Sequence, residues 1–487
     1  MISISFVLVS LVIICLLVKS VIKPRKYPPG PKWYPLMGCS SIVDKMTKKH
    51  GSQWKALSTL AKEFSTNVLG LKLGRELVVV VYGEKNIRHV FTEKEFEGRP
   101  DNFFVRLRCL GKRMGITFAD GPLWREHRQF TVKHLRNVGF GKTKMEEEIQ
   151  HEMLHIVKYI EKNCGKPINT MSMLAMSVMN ILWTYIADER IEEKRLKYLL
   201  DLLNARSKAF SMAGGMLNQL PWCRFIFPEL SGYGLIKRMN EQIANIIEEA
   251  IYKHKKKSVK GSDFIYSFIQ EMENNNESFT EEQLKTICLD VLIAGSQTTS
   301  NVLQFALLTV LRNKTIQDRL YEEINQTLEG KIPSWSDSNR LVYTSAFLYE
   351  VQRIYTIVPL MGPRRVLNDT MIDGYFIPKD TTVLLAVGDL HFDSEIWREP
   401  EEFRPERFID ERGTLKNIEH LYPFGLGRRR CPGDALAKSF IFIVIVGILQ
   451  KFKIDCSDAI MPSADPIIGL ISAPRPFSAV FTPRDSK

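Results

Sequence analysis

The chain lacks several patterns that would assign it to common classes of protein. None of its eight cysteines forms a Cys-x-x-Cys pair, which argues against zinc ribbons and thioredoxin-type redox motifs. It has no compact arginine-rich tract and no interleaved aromatic residues of the kind that favour nucleic-acid binding. No internal repeat or long low-complexity tract is present. These absences leave an ordinary globular chain of 487 residues, of which 45% are hydrophobic and 25% charged.

Positive charge is in excess, and the formal net charge is +12. Such a balance suits nucleic acid, an anionic membrane surface or an acidic protein partner. Because the patterns for nucleic-acid binding are missing, a membrane or an acidic partner is the better interpretation. A chain of this length can build its core without disulfides, and the scattered cysteines indicate a reducing compartment.

The first 22 residues predict a transmembrane anchor. The run MISISFVLVSLVIICLLVKS is apolar and carries no charge before Lys19. At ~1.5 Å per residue, a helix of ~20 residues crosses a hydrocarbon core of ~30 Å. A cleaved signal peptide would place basic residues before the apolar run, whereas here Lys19, Lys23 and Arg25 end or follow it. Positive charge stays on the cytosolic side, so we expect the body of the protein to be cytosolic.

Residues 23–38 predict a basic, proline-rich hinge, since Pro28-Pro29-Gly30-Pro31 fixes extended geometry and ends the helix. Residues 39–487 predict one large domain, mainly α with a minor β region. Apolar residues recur three and four apart through most of 145–328. Short β patterns occur near residues 77–81 and 377–385.

The segment around Cys431 has the features of a thiolate site. It reads FGLGRRRCPG from Phe424 to Gly433 and precedes an apolar helix predicted from Ala435 to Leu449. A helix N-terminus carries partial positive charge and free N–H groups, so we expect the pKa of this thiol to be lowered. Without other motifs, a free thiol in a basic loop would be the preferred interpretation.

The pattern Phe-x-x-Gly-x-Arg-x-Cys-x-Gly, filled here at every position, resembles the haem-binding signature of the cytochrome P450 superfamily. The resemblance implies the cytochrome P450 fold, with Cys431 as the axial ligand of the iron in haem b and with Phe424 and Gly433 beside it. The block from Gly111 to Glu152 is similar to the microsomal family-two clan. The string AGSQTTS is similar to insect members such as methyl farnesoate epoxidases.

Two further motifs follow the family pattern in the expected order. Glu350 and Arg353 match Glu-x-x-Arg on a helix, where residues three apart share a face. Arg407 lies in a segment that resembles the family's Pro-Glu-Arg-Phe. The resemblance implies that these three residues form a structural triad.

A Trp-x-x-x-Arg pair, Trp124 and Arg128, lies one helical turn apart, and its N–H donors point the same way. Guanidinium groups bind carboxylates in a fork. The resemblance assigns Trp124, Arg128 and Arg429 to the haem propionates, together with Arg364 or Arg365, between which the sequence does not decide. A surface Trp–Arg stack would be the simpler interpretation if this pair stood alone.

The string from Ala294 to Thr299 resembles the family's oxygen-activation motif, inside a helix predicted from about Glu281 to Leu311. The resemblance makes Gly295, Gln297 and Thr298 the catalytic candidates. Gly295 would leave room for O₂, and the Thr298 hydroxyl would hold water and donate a hydrogen bond. The family's acidic residue is replaced by Gln297, which can orient water but cannot release a proton near pH 7.

The nearest acid upstream of this string is Asp290, which lies roughly 12 Å from Thr298 along the helix axis. We therefore do not expect the family's usual acid–alcohol relay. The alternative interpretation of the whole string is a run of small residues at a helix crossing.

A different motif, His-Glu-x-x-His at His151, Glu152 and His155, would taken alone indicate a zinc metalloprotease. A catalytic zinc needs a third protein ligand. No carboxylate or histidine occurs between Glu161 and Asp188, and the surrounding charges are typical of a solvated helix face. We regard the protease as a remote alternative.

The resemblance implies a monooxygenase that hydroxylates or epoxidises a small lipophilic substrate. It also implies NADPH-cytochrome P450 reductase as partner, possible help from cytochrome b5, and a place on the cytosolic face of the endoplasmic reticulum membrane. A haem-thiolate isomerase or dehydratase that needs no reductase is the main alternative, and a haem sensor is another. The expected contacts of the reductase's acidic surface are Lys133, Arg136, Lys142, Lys144, Arg428 and Arg430. The segments expected to line the pocket are 103–118, 293–298, 358–362 and 469–471.

Overall fold

The computed structural model describes residues 2–137, 139–209, 217, 221–256, 261, 263–274, 277–457 and 460–484. Helices dominate this part of the chain and the strands are short, which confirms the prediction of a mainly α chain with a minor β region.

The helices of the N-terminal half precede or flank the long central helix. They are α1 (Ile2–Val21), α2 (Ser40–His50), α3 (Gln53–Glu63), α4 (Glu84–Thr92), α5 (Phe103–Arg108), α6 (Gly121–Asn137), α7 (Thr143–Lys162), α8 (Thr170–Ala187), α9 (Glu193–Ala209), α10 (Cys223–Ile226), α11 (Tyr233–Lys256) and α12 (Phe264–Glu273). The later helices are α13 (Glu281–Arg312), α14 (Lys314–Leu328), α15 (Val342–Ile354), α16 (Val387–Leu390) and α17 (Asp434–Lys451).

The strands form small, separate sheets. They are β1 (Val68–Leu73), β2 (Glu76–Val81), β3 (Pro167–Asn169), β4 (Met361–Arg365), β5 (Thr370–Ile372), β6 (Tyr375–Ile377), β7 (Thr382–Leu385), β8 (Phe452–Cys456), β9 (Ile467–Ile468), β10 (Ser472–Ala473) and β11 (Ser478–Pro483). The largest has the order β1-β2-β7-β4, in which β2 and β7 run parallel and the other pairs run antiparallel. The valines of β2 have the β-branched character that suits a buried strand.

The 32-residue helix α13 lies at the centre of the fold. Its N-cap Thr280 accepts a hydrogen bond from the backbone N–H of Gln283 at 3.2 Å, and two glutamates in its first turn complement the helix dipole. The stretch Val302–Leu311 is buried, and it packs with α7, α8, α15 and α17 in the main apolar core.

The helix α17 is apolar on nearly all sides, which is typical of a helix buried all round. Its residues from Ser439 to Leu449 are all buried. It begins at Asp434, three residues after Cys431, so the basic segment at 424–433 lies at the N-terminal end of this core helix.

The proline-rich segment predicted as a hinge packs against the sheet. Tyr27 and Trp33 are buried in the same apolar cluster as β1 and β2, and the Tyr27 hydroxyl donates towards the carbonyl oxygens of Leu71 and Val78 at 3.1 and 3.0 Å. Packing at Tyr27 and Trp33 therefore extends the folded body upstream of residue 39. The predicted boundary between hinge and domain stays a prediction.

The N-terminal helix α1 is apolar, and its side chains Phe6, Leu11 and Leu16 are exposed. Among the described residues, Thr170–Ala187 is the helix that is long and apolar enough to cross a membrane, but 72% of it is buried inside the protein, as in a core helix. The apolar stretch Phe6–Val21 is shorter.

Candidate functional site

A cavity of about 470 Å³ lies between α13 and the segment that contains Cys431. Gly295, Gln297 and Thr298 line it from α13, and Phe424, Cys431 and Gly433 line it from the other segment. Each of the four segments expected to line the pocket contributes to its wall. Their lining residues are Arg108, Ile116, Thr117, Ile293, Ala294, Gly295, Gln297, Thr298, Val358, Met361, Gly362, Leu470 and Ile471.

Helix α8 supplies a wall that sequence reasoning missed, through Ile181, Leu182 and Tyr185. This helix is apolar almost all round, and 14 of its 18 residues are buried. Its pattern indicates burial in the core but gives no sign that one face borders a cavity.

The loop before Cys431 is held in a tight conformation. The backbone N–H of Cys431 donates to the carbonyl oxygen of Phe424 at 2.9 Å, and Gly427–Arg429 forms a 3-10 turn between them. Gly427 has a φ of +70°, and a Cβ there would overlap the carbonyl oxygen of Phe91. On the other side of the loop, Arg128 donates to the carbonyl oxygen of Arg430. The backbone next to Cys431 is thus held by hydrogen bonds at its own N–H and at the carbonyl of Arg430.

The expected lowering of the Cys431 pKa is wrong for the thiol in this environment. Burial raises its pKa, as does Asp434, and these effects outweigh the Gly433 N–H and the charges of Arg128 and Arg430, which lower it. The Gly433 N–H and the two arginines therefore do not lower the pKa of this thiol below its ordinary value. A metal ion deprotonates a coordinating thiol outright, so the site suits a ligand sulfur better than a free reactive thiol.

Four arginines line one end of the cavity without any ion-pair partner among the described residues: Arg99, Arg128, Arg364 and Arg429. Burial, followed by the charge of Arg364, lowers the pKa of Arg429 to about 9, and burial lowers that of Arg364 to about 10. Burial and the neighbouring arginines also lower the pKa of Arg99. A bound group that carries negative charge would therefore stabilise this cluster.

Several buried donors in this cluster have no hydrogen-bond partner in the described part of the chain. They are Nη1 and Nη2 of Arg429 and Nε1 of Trp124. The Arg429 guanidinium lies over the Trp124 ring at 3.5 Å, and Arg128 lies 5.9 Å from the same ring. A sulfur ligand on one wall, unpaired guanidiniums at one end and apolar walls elsewhere fit a flat, apolar, dianionic group such as haem b.

The two adjacent arginines of β4 lie in different environments. Arg364 is 3% exposed and lines the cavity. Arg365 faces away, where it pairs with Asp120 at 2.8 Å and Asp380 at 2.7 Å. Arg99, which the sequence analysis did not single out, joins Arg364 at the cavity, and no spacing motif could have indicated it.

The three residues of the predicted triad meet in the core. Arg353 binds Glu350 through two bonds, at 2.8 and 2.9 Å, and Arg407 reaches the same carboxylate at 2.9 Å. All three side chains are buried. Their remaining donors bind backbone oxygens, such as His391 at 2.7 Å from Arg353, so the triad ties α15 to the segments that follow it.

His391 connects this triad to Tyr422, two residues before the segment 424–433 that contains Cys431, and sequence reasoning missed it. Its Nε2 accepts from the backbone N–H of Tyr422 at 3.2 Å, so Nδ1 carries the proton and donates to the Thr356 hydroxyl at 2.7 Å. Thr356 in turn donates to the carbonyl oxygen of Arg353. Burial and the charge of Arg353 lower the pKa of His391 to about 3, so the ring is neutral.

On the opposite wall, α13 stays helical past the catalytic candidates. The Thr298 hydroxyl donates to the carbonyl oxygen of Ala294 at 2.9 Å. A Cβ on Gly295 would overlap the side chain of Leu182 in α8, so a larger residue there would force Leu182 to move. The alternative interpretation of a small residue at a helix crossing thus holds for Gly295, which also borders the cavity.

Asp290 is committed to structural contacts. One carboxylate oxygen accepts from the backbone N–H groups of Ile116 and Thr117, both at 2.9 Å, and the other pairs with Arg108 at 3.3 Å. These bonds hold residues 108–117 against α13. Asp290 is therefore poorly placed to act as the missing acid of the relay.

The His-Glu-x-x-His motif does not form a metal site in the structure. His151 and His155 are exposed on α7, whereas Glu152 is buried and pairs with Arg190. No group of three or more metal-ligating residues occurs within the ranges that the structure describes. The arrangement is that of an amphipathic helix.

Comparisons with known proteins agree with this geometry. The family model described as Cytochrome P450 matches residues 28–481. The chain is 40% identical to probable cytochrome P450 305a1 of Drosophila melanogaster over 96% of both chains, and 36% identical to the farnesoate epoxidase of Bombyx mori over 98% of this chain and 99% of that one. It is 34% identical to cytochrome P450 2J3 of Rattus norvegicus, over 88% and 86%. The chain therefore belongs to the cytochrome P450 family of haem-dependent monooxygenases.

Proposed function

We propose that this cytochrome P450 is a membrane-anchored monooxygenase that hydroxylates or epoxidises a small lipophilic substrate with electrons that NADPH-cytochrome P450 reductase delivers from NADPH. The observation that carries the proposal is the placement of Cys431 across one cavity from Thr298, with unpaired arginines at its end.

The cofactor would be held by three groups of residues. Cys431 would supply the sulfur ligand of the iron, and Phe424 and Gly433 would border the group near it. The guanidiniums of Arg128, Arg364 and Arg429 would bind the propionates, with Trp124 donating from Nε1. When bound, haem b supplies the iron at which O₂ is activated. The triad of Glu350, Arg353 and Arg407 is proposed to keep the surrounding segments in place.

On α13, Gln297 and Thr298 are the residues proposed to orient water and transfer protons. The Thr298 hydroxyl lines the cavity, and it can exchange its bond to Ala294 for one to a water or to substrate oxygen. Gln297 can orient a water but cannot release its own proton near pH 7. Because Asp290 is held by Arg108 and two backbone N–H groups, we propose that protons reach the cavity through water and the Thr298 hydroxyl.

The substrate is proposed to be a terpenoid, with a steroid or a xenobiotic as the other classes that an apolar cavity accepts. Most of the cavity wall is aliphatic or aromatic, for example Leu182, Val291, Ile293 and Leu470. The similarity to a farnesoate epoxidase over nearly the whole chain favours a terpenoid of the juvenile-hormone precursor type.

The reductase is proposed to dock on the side of the Cys431 loop. Lys133, Arg136, Lys142 and Lys144 are exposed, and they make no ion pair with any described residue. Gly141 lies against Ala435 in the first turn of α17, which brings this basic turn next to the loop. Arg428 and Arg430 are also exposed, although they pair with Glu97 and Asp434. A cationic face suits the acidic surface of a flavoprotein reductase or of cytochrome b5.

Membrane anchoring in the endoplasmic reticulum is proposed from two apolar surfaces. The exposed apolar helix α1 is followed by basic residues, as expected of an anchor with a cytosolic domain. A second exposed apolar group occurs at Trp222, Phe225, Phe227 and Leu230. Exposed clusters of this kind are typical of membrane or partner contacts.

The test is turnover by the full-length haem protein in lipid vesicles with reductase, NADPH and a panel of farnesoic acid, methyl farnesoate, an ecdysteroid and a xenobiotic. The expected result is an oxygenated product that requires both NADPH and reductase. A product formed from a peroxide substrate without reductase would instead indicate the isomerase or dehydratase. Gln297→Glu tests the relay, since we expect it to change the ratio of product formed to NADPH consumed.

A further inference from the structure

Arg108 is a cation at the cavity that lies outside the proposed cofactor contacts. Arg108, the last residue of α5, lines the cavity, and its side chain is 11% exposed. Its guanidinium carbon lies 4.6 Å from the centre of the Phe118 ring, so the planar group is oriented by an aromatic face. It stands among apolar wall residues such as Ile116, Val291 and Ile293.

The ionic partner of Arg108 fixes its position without using up its donors. One N–H of Arg108 reaches Asp290 at 3.3 Å, whereas the other oxygen of Asp290 accepts two backbone N–H groups. A guanidinium has five N–H groups, and the other four of Arg108 have no partner among the described residues. Asp290 also borders the cavity, but it is only 3% exposed, and both of its oxygens already accept bonds from Arg108 or from backbone N–H groups.

A purely apolar ligand would cover these donors and leave them unsatisfied, which is unfavourable. A carboxylate would accept two of them in a forked pair, the strongest arrangement that a guanidinium makes. We propose that Arg108 binds the carboxylate of a lipophilic acid and so makes this enzyme selective for terpenoid acids over their neutral esters. This inference rests on the proposed monooxygenase function and names the substrate class.

Two carboxylates could meet Arg108, one on the substrate and one on the haem itself. The contacts favour the substrate. Arg108 is tied to Asp290 on α13, the helix that carries Gly295 and Thr298. Of the four arginines without ion pairs, Arg128 and Arg429 lie over Trp124 and Arg364 lies on β4. Arg99 lies nearer to Arg108, over the same Phe118 ring at 5.9 Å. The four together already provide more donors than two propionates need.

The test is a spectral binding titration of the full-length haem protein with farnesoic acid and with methyl farnesoate. We expect the wild-type protein to bind the acid at least tenfold more tightly than the ester. Arg108→Gln should weaken binding of the acid by about 10- to 100-fold and change that of the ester by less than threefold. Arg108→Lys keeps the positive charge but cannot form the paired hydrogen bonds of a guanidinium with a carboxylate. It should therefore retain part of the preference for the acid over the ester.

The control is Lys112→Gln, which removes a charge four residues further along, from an exposed lysine paired with Glu282. It should leave both affinities unchanged. Tighter or equal binding of the ester by the wild-type protein would overturn the inference. So would a loss of haem content in Arg108→Gln with an unchanged ratio of acid to ester affinity, since Arg108 would then bind a propionate.

Failure of this inference is distinguishable from failure of the proposed function. If only the preference for the acid is absent, methyl farnesoate is still oxygenated with reductase and NADPH by the wild-type protein and by Arg108→Gln. If the proposed function fails, no member of the substrate panel yields an oxygenated product, whatever the affinities for the acid and the ester are. Should Arg108→Gln not fold, the same comparison is made with Arg108→Lys, for which a drop of at least threefold in the acid preference is expected.

Discussion

At the scale of single residues, two adjacent arginines of β4 have opposite environments. Arg364 is buried at the cavity with its pKa lowered to about 10, whereas Arg365 is satisfied by two aspartates. We predict that Arg364→Gln weakens haem binding by about tenfold, because it removes a donor to a propionate. Arg365→Gln is the matched control and should retain haem. Haem content after gel filtration measures both, and equal loss from the two variants would contradict the assignment.

The neutral state of His391 predicts a pH-dependent stability. Its pKa is lowered to about 3 in the folded chain, against about 6.5 when unfolded. Between these values the unfolded chain binds a proton that the folded chain does not, so the free energy of unfolding falls as the pH falls. From pH 7.5 to 5.5 this loss is about 1.4 kcal/mol for one such histidine.

His391→Gln should remove this part of the pH dependence, because an amide can also accept from Tyr422 and donate to Thr356 but does not titrate. Urea unfolding of wild type and variant at pH 7.5 and 5.5 measures the difference. An unchanged dependence on pH in the variant would show that His391 is not the responsible group.

At the scale of elements, helices with strong patterns were predictable. The predicted helices at about Glu281–Leu311 and Ala435–Leu449 agree with α13 and α17 to within two residues at each end, because a capping threonine and a continuous apolar run mark their limits. The side of β4 on which each arginine lies was not predictable. It depends on the register of β4 on β7 and on an irregularity between Met361 and Arg364, which no local pattern encodes.

The contact between α8 and α13 predicts that Gly295→Ala destabilises the fold. An added Cβ overlaps Leu182, and overpacking of this kind costs about 1–3 kcal/mol. Leu182→Ala in the same chain should restore part of the loss, which a double-mutant cycle by thermal unfolding would detect. Full stability of Gly295→Ala, combined with poorer coupling of NADPH use to product, would instead favour a role limited to making room for O₂.

At the scale of the whole molecule, the excess of positive charge has a predicted use on one face. Lys142→Glu with Lys144→Glu should raise the KM for the reductase by about tenfold at low salt. The effect should shrink above about 0.15 M salt, where the screening length is ~8 Å. Lys48→Glu with Lys49→Glu on α2 makes the same charge change elsewhere and should leave KM unchanged. Equal effects of both pairs would indicate general charge attraction.

The family and the cysteine site could be predicted from the sequence because their residues occur at fixed local spacings. Arg99, Arg108 and His391 could not, because each is a lone residue whose role arises from contacts between distant segments. Arg108 meets Asp290 182 positions away, and His391 meets Tyr422 31 positions away. The roles of such residues can be assigned only when the burial and the hydrogen-bond partners of each polar atom are known.

The central claim is that Cys431 supplies the axial sulfur of the haem, and the carbon monoxide difference spectrum of the reduced protein tests it most directly. We predict the band typical of a thiolate-ligated haem for the wild-type protein and its loss in Cys431→Ala. Cys456→Ala, which removes a cysteine outside the cavity, should keep the band. A thiolate-type band that persists in Cys431→Ala would contradict the claim.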